Sequence, residues 1–200
     1  MLSRHFRLGG ALAAIAFVLA ISAISTGTAA AACNPSGGLT AAQDPCAPAP
    51  ETEETTTTTT VPGAKARLVD GVAIPPASAP PAVKQVIEAA NRIRTKPYLW
   101  GGGHGRWWDT GYDCSGAISY ALRGGRLITS PLNSTGFMSW GEPEAGRWIS
   151  VYANAGHAYA VIAGLRWDTA GSVGGTGPRW YADARSVVSG KFAVRHPTGY

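Results

Sequence analysis

The sequence is short of cysteine and short of charge. Three cysteines in 200 residues leave at least one without a partner in the chain. At most one disulfide is available, so a framework of bridges cannot be what stabilises the fold. Only 14% of residues are charged, and the formal balance is +5. The basic residues are scattered, and no recognition motif accompanies them, which argues against nucleic acid as a partner. There is no internal repeat. Residues 33–64 contain almost no large apolar side chain. A stretch of that kind cannot offset its chain entropy and is expected to be a disordered Pro/Thr-rich spacer.

The chain does have a long uncharged run near its start. Arg4 and Arg7 precede it, and the small residues Ala29 to Ala32 close it. This is the layout of a cleaved secretory signal peptide, residues 1–32, and it implies export with no stable membrane insertion afterwards. An uncleaved anchor is the alternative, because Leu8 to Ala32 is long enough to span a bilayer. Cys33 directly follows the small residues, as in a bacterial lipoprotein, but the usual leucine three residues earlier is missing. Cys33 and Cys46 are close enough in sequence to pair in an oxidising compartment.

Residues 65–200, about 135 of them, are enough for one domain, and they hold all seven tryptophans. From Lys84 onward thirteen Lys and Arg face seven Asp and Glu, 13 − 7 = +6. A basic exported domain suits an anionic surface such as a cell wall. Asp70-Gly71 between apolar residues reads as a tight turn. Val83, Val86, Ile87, Ala90 and Ile93 recur on one helical face. A second short helix is expected from Cys114, closed by Gly124-Gly125. The segment from Arg126 to Gly146 reads mostly as loop. Strands follow in "RWISVYA", "GHAYAVIAG", "LRWDT" and "KFAVRH". The run Ala158 to Ala163 is apolar on both faces, as in a central strand. Helices first and an antiparallel sheet after them make an α+β fold.

Cys114 is the cysteine without a nearby partner, and it falls at the start of the second helix. Free N–H groups and the helix dipole favour negative charge there, hence a thiolate. A thiolate nucleophile needs a base that takes a proton and returns it to the leaving group. Of four histidines, His157 alone opens an apolar strand. It is either a satisfied core histidine or a functional one. Asp168 lies eleven residues further on, and a hairpin would bring it near His157 as an orienting partner. Thr169 or a backbone carbonyl remains open, because the sequence does not fix the register. Cys114, His104 and His157 have no compact zinc-ligand spacing, so neither a metal nor another cofactor is expected. Trp107, Trp108 and Trp140 can stack on substrate or pack in the core.

"KPYLWGGG", "YDCSG" and "GHAYAVIAG", in that order, resemble the NlpC-type family of peptidoglycan endopeptidases, papain-like cysteine peptidases of bacterial cell walls. The resemblance runs from Lys96 to about Thr169. It implies a monomeric papain-like domain with a helix-borne cysteine packed on a small antiparallel sheet. It implies hydrolysis of bonds to D-glutamate in peptidoglycan stem peptides, with Cys114 as nucleophile and His157 as base. Asp168 stands where the family has a third polar residue, often histidine. Tyr98, Trp100, Asp113 and Ser115 match positions lining the substrate groove. The chain departs from the family pattern at Gly146-Arg147-Trp148, where Gly-Asp is usual, and in the longer aromatic loop before Tyr112. Two other functions fit the same residues: a wall-binding module without catalysis, or a thiol hydrolase or acyltransferase on another amide or a lipid.

Overall fold

The computed structural model describes residues 59–171 and 177–200. The expected signal peptide, the Cys33–Cys46 pair and most of the spacer lie outside the described residues. The described chain opens with Val61, expected within the spacer but buried in a parallel bridge to Pro76. Its N–H donates to Pro75 O at 3.0 Å. One valine with a partnered backbone suffices to dock there, and composition averaged over a segment does not register it.

Two short strands, β1 (Arg67–Val69) and β2 (Val72–Ile74), pair antiparallel around the Asp70-Gly71 turn. Both turn residues have positive φ, 48° and 76°, as a two-residue hairpin turn requires. Helix α1 (Pro81–Ile93) follows, with Pro80 at its N-cap and Pro81 in its first turn. Its apolar face, Val83, Val86, Ile87, Ala90 and Ile93, is buried. On its other flank Asn91 holds two elements. Its amide donates to Ala73 O at 2.9 Å. Its Oδ1 accepts from Ala73 N at 3.0 Å and from Trp180 Nε1 at 2.9 Å.

Helix α2 (Cys114–Gly124) packs against α1. Six strands form the main sheet. They are β3 (Glu142–Pro143), β4 (Ile149–Ala153), β5 (Ala158–Ile162), β6 (Leu165–Asp168), β7 (Arg179–Tyr181) and β8 (Ala193–His196). The order is β3-β8-β4-β5-β6-β7, antiparallel throughout. The central place of β5 accords with its apolar faces. This is the expected α+β arrangement, with the cysteine helix laid against an antiparallel sheet. Trp167 joins the layers by donating from Nε1 to Ala117 O of α2 at 3.1 Å.

The segment read as mostly loop contains a four-residue helix, α3 (Ser134–Phe137), and strand β3. Asn133 caps α3, accepting from Gly136 N at 2.7 Å. Strand β7 was not expected either. These three elements are short and sit in sequence without an alternating apolar run to mark them. Among the described residues no helix is long and apolar enough to cross a membrane.

Candidate active site

Asp113 fixes the start of α2. Its Oδ1 accepts from Gly116 N at 2.7 Å and from Ser115 Oγ at 3.1 Å. Its Oδ2 accepts from Gly101 N at 3.1 Å, which draws the glycine-rich loop onto the helix. The loop comes so close that a Cβ on Gly116 would collide with the Gly102 carbonyl. Glycine is needed at 116 for that approach. Cys114 is free and half-buried at the first helical position.

The β5–β6 hairpin brings up the rest. A two-residue turn at Ala163-Gly164, φ 46° and 84°, sets Ala160 opposite Trp167 and Val161 opposite Arg166. Continued one pair further, that register places Asp168 across from Tyr159, on the face His157 shares. His157 Nε2 donates to Asp168 Oδ1 at 3.0 Å. Ala170 N donates to the same oxygen at 2.8 Å. Of the alternatives left open by the sequence, Asp168 makes the contact, and it is 2% exposed. With Nε2 committed to Asp168, Nδ1 of His157 is left for its hydrogen bond with Cys114.

Burial is the largest influence on the His157 imidazole and disfavours its charged form. The hydrogen bonds to Asp168 and Cys114, and their charges, outweigh it and raise the pKa from 6.5 to about 9. Tyr98 borders the same site. Its phenol is pushed above the usual value first by burial, then by the charges of Cys114 and Asp113. Trp100 is 85% exposed and Trp108 is open to solvent, whereas Trp107 and Trp140 pack against the core. Lys96 Nζ sits over the Trp108 ring, 4.6 Å from its centroid.

One neighbour was passed over in the sequence. His104 Nε2 lies 3.0 Å from Asp113 Oδ1 and 3.3 Å from Ser115 Oγ. The only signal was its place four residues after Trp100 in the glycine loop, which does not specify a contact. Among the described residues no cluster of three or more His, Cys, Asp or Glu could hold a metal.

Fold and site together define an α+β protein with a helix-borne cysteine, a histidine immediately before strand β5 and a buried aspartate in series. In the solved structures, the chain is similar to the P60 domain of an antigen from M. avium subspecies paratuberculosis. Identity is 22%, over 57% of this chain and 93% of that one, with a TM-score of 0.43. It is also similar to the peptidoglycan hydrolase RipB of Mycobacterium tuberculosis, at 23% identity, over 60% of this chain and 66% of that one, with a TM-score of 0.44. No family model and no curated protein matches the sequence.

Proposed function

We propose that this protein is an exported cysteine peptidase of the bacterial cell wall. It hydrolyses amide bonds in peptidoglycan stem peptides, at D-glutamate. The observation that carries this reading is the series Cys114, His157, Asp168: a sulfur at a helix N-terminus, hydrogen-bonded to an imidazole that is anchored 3.0 Å from a buried carboxylate. The motif order around Cys114 and His157 supplies the choice of substrate.

In this mechanism His157, its pKa raised to about 9, holds the proton taken from the Cys114 sulfur. The sulfur attacks the amide carbonyl carbon. The oxyanion is held partly by the Cys114 backbone N–H, because Asp113 already takes the N–H of Gly116. The imidazolium passes its proton to the leaving nitrogen as the C–N bond breaks, which leaves a thioester on Cys114. Neutral His157 then takes a proton from water, the hydroxyl adds to the thioester, and the acid departs as the thiolate and imidazolium return. Tyr98 and Trp100 are the side chains assigned to the substrate groove, while Asp113 and Ser115, expected there too, are buried and hold the start of α2.

Purified cell-wall fragments, incubated with the full chain and with Cys114→Ala, test this by mass spectrometry. The parent is expected to release stem-peptide fragments and the variant none. Fragments at the parent rate from Cys114→Ala would overturn the nucleophile. Binding without release by the parent would favour a wall-binding module. Turnover of acyl lipids in place of stem peptides would favour the other thiol hydrolases.

A further inference from the structure

Asp168 has a second neighbour that the catalytic series does not use. Arg166 lies two residues earlier on β6, on the same face of the sheet, and is 1% exposed. Its Nε is 3.5 Å from Asp168 Oδ2. Neither atom has a hydrogen-bond partner among the described residues, and both are buried. The far side of the guanidinium is fixed: NH1 donates to Asp183 Oδ1 at 2.8 Å, and the group lies over the Tyr181 ring, 4.2 Å from its centroid. The buried Nε of Arg166 and the buried Oδ2 of Asp168, each otherwise orphaned, therefore face each other at the outer edge of hydrogen-bond length. A packing role does not require a charge here, and burying one is costly unless it is matched.

We propose that Arg166 is a positioning residue that shares the Asp168 carboxylate with His157, holding Oδ2 so that Oδ1 cannot grip the imidazole proton too tightly. The inference rests on the peptidase reading above. One carboxylate between two cations binds each less strongly than it would bind either alone. A general acid works best when its proton is not over-stabilised at the operating pH. Arg166 thus tempers the hold on the proton that His157 must deliver to the leaving nitrogen. The groups around His157 are Cys114 from α2, Asp168 from β6 and the Tyr159 ring from β5. Around Asp168 are Arg166, Tyr159, Tyr181 and, directly across on β7, Arg179, whose NH1 donates to the carbonyls of Arg94, Lys96 and Pro178; Asp183 lies beyond Arg166. Among these, Arg166 is the cation placed directly on the free oxygen of Asp168.

The test is an NMR titration of His157 in the full chain without substrate, its signal assigned by loss in His157→Gln. Arg166→Met is expected to move the His157 midpoint upward by about one pH unit. It is also expected to lower kcat by about tenfold with KM within about twofold. Arg166→Lys keeps the charge and should return the midpoint most of the way. Asp183→Asn removes an acid from the far side of Arg166 and should shift the midpoint slightly downward, more at low salt. Its side chain is 67% exposed, so that variant tests the idea even where Arg166→Met does not fold. An unmoved or lowered midpoint in Arg166→Met, or an unmoved midpoint in Asp183→Asn at low salt, would overturn the proposal. Failure of the peptidase reading is distinct: it shows as absent fragment release by the parent, whatever His157 does.

Discussion

Asp168 makes the most specific demand of any single residue in this account. It is buried, it accepts from His157 Nε2 and Ala170 N through one oxygen, and it faces Arg166 with the other. Asp168→Asn keeps the shape and removes the charge. The His157 midpoint should then fall from about 9 back toward its ordinary range, because an amide stabilises an imidazolium less than a carboxylate does. The kcat should drop by roughly 100-fold, with KM little changed, since the imidazole loses its orienting partner. Kinetics and NMR on one preparation check both. The raised pKa also has a sign for stability. Its folded value, about 9, lies above 6.5, so protonation favours the fold. That contribution is complete below pH 6.5 and is lost as pH rises through 9.

At the scale of elements, the decisive feature is how closely the glycine loop meets α2. Gly116→Ala forces a methyl against the Gly102 carbonyl. It is expected to cost about 1–3 kcal/mol and to displace the loop that carries Trp100 and Gly101. A thermal melt should show the loss, and activity should fall further than the melt alone explains. The two long helices and four of the six main-sheet strands were legible in the sequence because a cap, a helical period or an apolar run marks each. Strands β3 and β7 and helix α3 were not, being two to four residues long in sequence with no such mark. The same limit applied at the site. Cys114 and His157 stand out by their local pattern. The choice of Asp168 over Thr169 needed the Ala163-Gly164 turn, whose register no local pattern fixes. His104 and Arg166 were invisible as site neighbours, because their contacts depend on loop closure and on strand pairing.

For the whole molecule, two layers meet where the work is done. The helical layer supplies the sulfur, the turn into β5 supplies the imidazole, and β6 supplies its carboxylate. Trp167, reaching Ala117 O, holds one layer against the other. The chain's basic balance, +5, suits approach to an anionic wall. The aromatic loop bearing Trp100 and Trp108 stands exposed, and under the proposed function it would select among wall peptides. The central claim is that Cys114 becomes covalently acylated during turnover. The full chain mixed with a D-glutamate-containing stem peptide, quenched in acid and mapped by mass spectrometry, tests this directly. The account predicts an added mass equal to the acyl half of the peptide, located on the fragment containing Cys114 and absent in Cys114→Ala. Product release with Cys114 unmodified throughout, and equal release by Cys114→Ala, would contradict it.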